Sequence, residues 1–308
     1  MINVQFAALP ARWETYRDPL KNAFAKAGLE VDMRIDHAPD QVDYVIYAPN
    51  SDLQDFTPYT RCKAVLNLWA GVEKIVGNQT LTMPLCRMVD PGLTAGMVEW
   101  VTGHVMRYHL DIDRSITVQD RWEPVVPPLA FERPVTLLGL GALGSACAQS
   151  LARIGFPVTG WSRSPKEIDG ITCLHGDEGL KQALSTAEIV VLLLPDTPAT
   201  TNILNAETLS LLSKGARIIN PGRGPLIDDA ALLAALDTGQ VGHATLDVFR
   251  VEPLPADDPY WAHPKVTVTP HIAAETRAST ASEVIAENIR RGETGQPFLH
   301  LVNRDLGY

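Results

Sequence analysis

The 308-residue sequence lacks several features that would point to particular classes of protein. Its four cysteines, at positions 62, 86, 147 and 173, form no C-x-x-C pair, which argues against a disulfide framework or a zinc site. No apolar run reaches the roughly 18 residues of a membrane-spanning helix. The N-terminus has neither the basic start nor the cleavage site of a signal peptide. We therefore expect a cytoplasmic protein without a metal and without membrane association.

Positive charge is also scarce. The 26 Lys and Arg residues face 36 Asp and Glu residues, for a net charge of −10, and no basic cluster stands out. Nucleic acid is therefore not an expected partner, whereas a small anionic substrate is compatible with a locally basic pocket. What the sequence does have is a normal globular composition, 45% apolar and 20% charged, in a length typical of two domains.

Short apolar runs alternate with helical patterns along the chain, which predicts an α/β fold. The predicted strands are 2–8, 31–35, 42–48, 64–69, 85–89, 135–139, 157–161, 171–174, 188–194, 216–220, 243–249 and 266–269. Several are continuous apolar runs, such as I-V-V-L-L-L from Ile189, which is typical of strands buried on both faces of a doubly wound parallel sheet.

Helical patterns separate most of these strands. They cover 12–27, 142–154, 178–186, 206–212, 229–237 and 276–291, and a longer pattern runs from Thr94 to about Trp122. The stretch E-P-V-V-P-P from Glu123 cannot form regular helix or a central strand, so we predict a surface connection there.

A glycine-rich turn follows the strand that begins at Val135. Gly139, Gly141 and Gly144 have G-x-G-x-x-G spacing, directly after an apolar strand and at the start of a helix. In that context the glycines allow a tight turn, close approach of a pyrophosphate and close helix–strand packing. The helix N-terminus, at Ala142 and Leu143, adds free N–H groups. We therefore predict a dinucleotide site.

The end of the next strand bears on which nucleotide is bound. An NAD-binding fold places Asp or Glu there, but this sequence reads G-W-S-R-S-P from Gly160. Trp161, Ser162, Arg163 and Ser164 offer donors and no carboxylate. Arg163 can hold a 2′-phosphate through a charge-assisted fork. NADP(H) is therefore the predicted cofactor, with NAD(H) as the weaker alternative.

Three charged residues follow three further strands of the same predicted sheet. They are Arg223, Glu252 and His271, and the carboxyl ends of parallel strands share one crevice. Reduction of a 2-oxo acid needs a proton for the carbonyl oxygen, which His271 can supply. Glu252 can fix the imidazole tautomer and favour its charged form, and Arg223 can grip a carboxylate and polarise the carbonyl.

With these residues in place, the sequence resembles the D-isomer-specific 2-hydroxyacid dehydrogenase family over essentially its whole length. The matching motifs are G-L-G-A-L-G from Gly139, W-S-R-S from Trp161, L-L-L-P-D-T-P-A-T from Leu192, N-P-G-R-G from Asn220, L-D-V-F-x-x-E-P-L-P from Leu246, P-H-I-A-A from Pro270 and the closing R-D-L-G-Y.

The resemblance implies a role for each of these motifs. Arg223, Glu252 and His271 would be catalytic, and Asp247 would face the nicotinamide amide. The remaining expected nucleotide contacts are Leu194, Pro195, Gly222 and Ala273. The W-A-G-V turn matches the family's substrate loop, with Trp69 in place of a small residue and the N–H groups of Ala70, Gly71 and Val72 binding the substrate carboxylate.

The family fold also implies the domains and the reaction. A flavodoxin-like substrate domain would comprise 1–93 and 276–308, a Rossmann-type dinucleotide-binding domain 94–275, and the protein would be a homodimer. The expected reaction is NADPH-dependent reduction of small 2-oxo acids such as glyoxylate and hydroxypyruvate. Three alternatives stay open: another specificity such as that for phosphoglycerate, a nucleotide-sensing corepressor of the same family, and a β-hydroxyacid or imine reductase. The last class resembles a different pattern, with a catalytic Lys.

Overall fold

The computed structural model describes residues 1–307, so the last tyrosine of the closing R-D-L-G-Y motif lies outside the described residues. The chain divides into two compact units. The first unit combines Met1–Leu93 with the chain from Glu275 onward, and the second unit is Thr94–Ala274. Each unit contains its own parallel sheet.

Strands and helices alternate along the chain, as the apolar runs predict. The strands are β1 (Ile2–Ala7), β2 (Val31–Arg34), β3 (Tyr44–Tyr47), β4 (Ala64–Asn67), β5 (Leu85–Cys86), β6 (Val135–Leu138), β7 (Val158–Ser162), β8 (Thr172–His175), β9 (Ile189–Leu192), β10 (Ala216–Asn220), β11 (Val241–Leu246) and β12 (Val266–Val268). The α-helices are α1 (Pro10–Lys26), α2 (Pro91–His109), α3 (Ile112–Thr117), α4 (Ala142–Ile154), α5 (Gly176–Ser185), α6 (Ala206–Ser210), α7 (Asp229–Asp237) and α8 (Ala278–Glu293).

The first unit has a five-stranded parallel sheet in the order β2-β1-β3-β4-β5. This is the flavodoxin-like order. All four residues of β3 are buried, and they alternate between two clusters: Tyr44 and Ile46 pack on one, Val45 and Tyr47 on the other. The sheet is therefore covered on both faces, which is why its central strands are continuous apolar runs.

The second unit has a seven-stranded parallel sheet in the order β12-β11-β10-β9-β6-β7-β8. The chain runs outward from β6 to β8 and returns at β9, so the strand order reverses between β6 and β9. Ile189 and Val191 of β9 pack with α2 and α4, while Val190 and Leu192 pack into the opposite cluster. The predicted fold, two doubly wound parallel sheets with a Rossmann-type unit, is confirmed.

The long helix predicted from Thr94 to about Trp122 is wrong in its extent. α2 begins earlier, at Pro91, and ends at His109, and Asp111 has a left-handed backbone with φ 51° before the short α3. α2 buries Met97, Val101 and Val105 against the core. Beyond it the apolar side chains face solvent, so core packing does not extend the helix and only the short α3 forms there. Over residues 1–307, no helix has both the length and the apolar content needed to cross a bilayer.

Candidate active site

The turn between β6 and α4 requires its glycines for three different reasons. Gly139 has φ +111°, where side chains are rarely tolerated, and a Cβ there would collide with the Leu193 carbonyl. A Cβ on Gly144 would collide with the Gly139 carbonyl oxygen. At Gly141, by contrast, a Cβ would meet nothing within 4 Å. The middle glycine therefore borders open space, as it must where a pyrophosphate approaches the backbone.

The helix that follows presents N–H groups at the point where the strand order reverses. α4 begins at Ala142, and the N–H of Ser145 donates to the carbonyl of Gly141 at 2.9 Å. The N–H groups of Ala142, Leu143 and Gly144 precede this first helical bond, so they have no acceptor within the helix. Together with the helix dipole they favour a phosphate at the carboxyl edge of β6 and β9.

The four residues predicted to read the ribose at the end of β7 divide into two pairs. Trp161 and Ser162 are buried: the indole N–H donates to the Gly176 carbonyl at 2.9 Å, and the Ser162 hydroxyl donates to the Ser164 carbonyl at 2.8 Å. Arg163 and Ser164 are exposed. The buried pair therefore stabilises the strand end, and the exposed pair offers donors in a segment, 161–166, whose sequence contains no Asp or Glu.

The turn that carries Arg223 is held by a residue that the sequence reasoning did not assign. Asn220 ends β10 and is buried; its Nδ2 donates to the Arg223 carbonyl at 2.9 Å, and its Oδ1 accepts from the Gly222 N–H at 3.1 Å. A Cβ on Gly222 would lie 2.8 Å from the Leu192 carbonyl oxygen, so the turn packs closely on β9. Asn before Pro-Gly at a strand end is the signal that points to such a turn.

Two further predicted nucleotide residues follow β9. Leu194 is buried in the core of the second unit. The Pro195 carbonyl accepts a hydrogen bond from the Thr200 hydroxyl at 2.7 Å. This bond fixes the backbone just beyond the carboxyl end of β9, beside the glycine-rich turn.

Glu252 and His271 are in direct contact. The Nδ1 of His271 lies 2.8 Å from Oε2 of Glu252, and Oε1 of Glu252 accepts the Phe249 N–H at 2.9 Å. Half of the His271 side chain is exposed (52%), which leaves its other ring nitrogen accessible to a ligand. The carboxylate therefore orients an imidazole that can exchange protons with solvent or substrate.

The environment of Glu252 favours its charged form. Burial alone raises its pKa, but the hydrogen bonds from His271 and the Phe249 N–H, with the charges of His271 and Arg223, lower the pKa below its usual 4.5. The positive charge of Arg223 therefore also acts on this carboxylate. The structure brings together all three residues that the sequence assigns to the chemistry.

A buried aspartate fastens the loop that carries His271. The carboxylate of Asp247 is 0% exposed; Oδ1 accepts from the Thr269 hydroxyl and the Ile272 N–H, and Oδ2 accepts from the Ala273 N–H, at 2.6 to 2.9 Å. The His271 N–H donates to the Asp247 carbonyl at 2.9 Å. His271 itself has φ 55°, an uncommon backbone conformation that these bonds hold in place. The contact of Asp247 with the nicotinamide stays a prediction.

The predicted substrate loop follows β4 in the first unit, and its carbonyl groups and N–H groups differ in their hydrogen bonding. The Trp69 carbonyl accepts from the Met88 N–H at 3.0 Å, and the Val72 carbonyl accepts from Ile75 and Val76 at 2.9 and 2.8 Å. The N–H groups of 69–72 have no hydrogen-bond acceptor within residues 1–307. The Nζ of Lys74 lies 5.9 Å from the Trp69 ring centroid. The loop therefore offers donors to an anion.

The described residues contain no group of three or more His, Cys, Asp or Glu side chains that could hold a metal ion. The residues brought together in the second unit instead suit hydride and proton transfer.

Comparisons with known proteins agree with this chemistry. A family model described as D-isomer specific 2-hydroxyacid dehydrogenase, NAD binding domain, matches residues 103–273. Glyoxylate/hydroxypyruvate reductase A of Yersinia enterocolitica is 40% identical over 255 residues, which cover 80% of this chain and 82% of that protein. The enzyme of the same name from Serratia proteamaculans is 40% identical over 257 residues, with the same coverage.

Two crystal structures extend the similarity to the whole fold. A D-isomer specific 2-hydroxyacid dehydrogenase from Xanthobacter autotrophicus, in complex with NADPH and MES, is 41% identical with a TM-score of 0.93, covering 100% of this chain and 99% of that one. The NADPH-dependent glyoxylate/hydroxypyruvate reductase of Sinorhizobium meliloti, in complex with NADP and sulfate, is 32% identical with a TM-score of 0.85 and the same coverage. The family model spans more than half of this chain, and the chain belongs to the D-isomer specific 2-hydroxyacid dehydrogenase family.

Proposed function

We propose that the protein reduces small 2-oxo acids, glyoxylate and hydroxypyruvate above all, to 2-hydroxy acids with NADPH. The observation that carries this proposal is the 2.8 Å contact between His271 and Glu252, in the unit that also presents the glycine-rich turn. It is supported by relatives named glyoxylate/hydroxypyruvate reductase A at 40% identity.

The chain's own residues supply the proton chemistry. A bound nicotinamide supplies a hydride to the carbonyl carbon. The protonated imidazole of His271 donates its Nε2 proton to the carbonyl oxygen, which becomes the hydroxyl. Glu252 holds the Nδ1–H throughout and stabilises the cationic form. The half-exposed ring then regains a proton from solvent. Arg223 orients the substrate carboxylate through the fixed fork of donors on its guanidinium.

The preference for NADPH is assigned to the end of β7. Arg163 and Ser164 are exposed there, and the sequence of residues 161–166 contains no Asp or Glu that would repel a 2′-phosphate. The related structures from Xanthobacter autotrophicus and Sinorhizobium meliloti hold NADPH and NADP. NAD(H) remains the weaker alternative.

The substrate carboxylate is assigned to the loop after β4. The N–H groups of Ala70, Gly71 and Val72 have no acceptor within residues 1–307, so a carboxylate can satisfy several of them at once. Trp69 adds a large side chain to the loop and favours small substrates. With these roles, residues 1–93 and 276–308 form the substrate domain and 94–275 form the cofactor domain.

A second copy of the chain is the expected partner. Among residues 1–307, eight of the seventeen exposed large apolar side chains lie between Leu110 and Phe131, and Trp122 is 96% exposed. Monomeric proteins rarely leave such a surface open. We assign this segment to a homodimer contact. The four cysteines are free, which suits the reducing cytoplasm as the place of action.

A substrate panel tests the proposed reaction. Initial rates with glyoxylate, hydroxypyruvate, pyruvate and phenylpyruvate are measured with NADPH and with NADH. Glyoxylate and hydroxypyruvate with NADPH should give the highest kcat/KM values. A highest value for phenylpyruvate, a general preference for NADH, or no turnover with any of the four acids would contradict the proposal.

A further inference from the structure

Asn67 lies directly before the loop assigned to the substrate carboxylate. It is the last residue of β4 and is only 1% exposed. Its Nδ2 donates to two loop carbonyls, that of Trp69 at 2.9 Å and that of Gly71 at 3.1 Å. A single buried amide therefore bonds both ends of the Trp69–Ala70–Gly71 turn.

These two bonds set the direction of the loop's peptide groups. Carbonyls that point at Asn67 cannot point at a ligand, and in a tight turn their orientation constrains the neighbouring N–H groups. The N–H groups of Ala70, Gly71 and Val72 are left without an acceptor within residues 1–307. Successive backbone N–H groups that have no acceptor within the chain can together form a concave anion-binding site.

The other polar atom of Asn67 is unusual. Its Oδ1 is buried and has no hydrogen-bond partner among the described residues. A buried, unpaired oxygen destabilises a fold, so stability alone does not account for an asparagine here. The two donated hydrogen bonds do account for the asparagine, because only a side-chain amide on this short stem supplies two N–H donors at that position.

We propose that Asn67 is a positioning residue that pre-forms the backbone cradle for the carboxylate of the 2-oxo acid. The inference rests on the proposed function, since it concerns the same substrate. It assigns to Asn67 no contact with the substrate; the residue acts through the Trp69 and Gly71 carbonyls. In the second unit, Asn220 also fixes a turn, that of Arg223, but with one donated and one accepted hydrogen bond.

Asn288 offers a matched control in the same unit. It is also a buried asparagine, at 3% exposure, and it bonds Leu299 with both polar atoms: Nδ2 donates to the carbonyl at 3.3 Å and Oδ1 accepts the N–H at 2.7 Å. It anchors the chain after α8 rather than the substrate loop. Its loss should lower stability without touching substrate recognition.

The test compares Asn67→Ser, Asn67→Ala and Asn67→Asp with Asn288→Ala in the full-length protein. Asn67→Ala should raise KM for glyoxylate at least about tenfold, with a much smaller change in kcat and an unchanged KM for NADPH. Asn67→Ser keeps one donor and should recover part of the loss. Asn67→Asp has the same shape but no donor and a repelling charge, so it should raise KM for glyoxylate the most. Asn288→Ala should lower Tm and leave KM for glyoxylate unchanged.

Calorimetric titration with oxalate provides a readout that does not need turnover. The parent should bind oxalate, and the Asn67 variants should bind it more weakly in the same order as their KM values. If Asn67→Ala keeps KM and oxalate affinity within about twofold of the parent, or if Asn288→Ala weakens both equally, the inference is overturned. A parent that binds oxalate but reduces no 2-oxo acid would instead overturn the proposed function.

Discussion

At the scale of single residues, the contact between His271 and Glu252 determines how turnover should respond to pH. Reduction needs a protonated imidazole and a charged carboxylate together. Because the pKa of Glu252 lies below 4.5, this carboxylate stays charged throughout the weakly acidic range. As pH falls from about 8 to about 5, the rate of glyoxylate reduction should therefore rise to a plateau and should not fall again at the acid end of this range. Stopped-flow rates at saturating NADPH measure this directly.

Two variants separate the roles of the pair. His271→Ala should lower kcat at least about a hundredfold, the smaller loss typical of a missing general acid, while NADPH binding is unchanged. Glu252→Gln should lower the rate across the whole range, because the imidazolium loses its charged partner. Near-normal turnover of His271→Ala would contradict the assignment, and so would a parent rate that falls when the pH is lowered from about 6 to about 5.

Arg163 is expected to control the choice of nucleotide. NADPH and NADH differ only in a 2′-phosphate remote from the hydride, and a charge-assisted hydrogen bond contributes roughly 1.5–3 kcal/mol. Arg163→Ala should therefore raise KM for NADPH about ten- to a hundredfold and leave KM for NADH and kcat nearly unchanged. Arg153→Ala, at another exposed arginine, is the control. An equal loss for both nucleotides would mean that Arg163 has a structural role.

Residue types that carry charge could be recognised from the sequence, whereas the residues that orient them could not. Arg223, Glu252 and His271 follow predicted strands, so the parallel sheet brings them to one edge. Asn67 and Asn220 also end strands, but a polar residue at a strand end is common. The role of these two asparagines depends on which backbone carbonyls their side chains can bond, and that depends on the path of the loop.

At the scale of one element, different glycines of the β6–α4 turn are expected to control stability and nucleotide binding. Gly144→Ala should destabilise the protein, because its Cβ would collide with the Gly139 carbonyl. Gly141→Ala should keep a Tm near that of the parent, since a Cβ there meets nothing within 4 Å and φ is −74°. It should nevertheless weaken NADPH binding at least about tenfold, because the methyl group occupies the space of the pyrophosphate.

Thermal unfolding and fluorescence titration with NADPH measure the two effects. Gly103→Ala is the control, because it adds a methyl group in open space within α2. It should match or slightly exceed the parent in Tm and bind NADPH normally. If Gly141→Ala binds NADPH as tightly as Gly103→Ala, the assignment of this turn to the pyrophosphate is wrong.

Continuous apolar runs predict the buried strands well because burial on both faces leaves few places for a polar side chain. The end of α2 was harder to predict. Apolar residues continue past His109 at helical spacing, yet Ile116 is 66% exposed and packs on no core. A sequence pattern records that a residue is apolar and not what covers it. A contact with another chain is one reason for such a mismatch.

At the scale of the whole molecule, the exposed segment from Leu110 to Phe131 should determine the oligomeric state. Trp122 and Val126 are 96% and 88% exposed. Replacing both with Ser should shift the protein from dimer to monomer in sedimentation velocity at micromolar concentration, because the apolar contact area is lost. Secondary structure should be unchanged.

Ile35→Ser serves as the matched control, since Ile35 is 57% exposed but lies in the first unit. It should leave the sedimentation coefficient of the parent unchanged. A parent that sediments as a monomer, or a Trp122→Ser, Val126→Ser protein that stays dimeric, would show that this segment is not the contact.

The division of W-S-R-S into a buried half and an exposed half has an evolutionary consequence. Trp161 and Ser162 are constrained by the core, whereas Arg163 and Ser164 face solvent, where substitutions usually change stability by less than about 0.5 kcal/mol. A lineage could therefore exchange one nucleotide for the other by drift at these two positions, without compensating changes elsewhere. Coenzyme preference should then vary among descendants of this fold more readily than the chemistry at His271, whose loop depends on a buried aspartate.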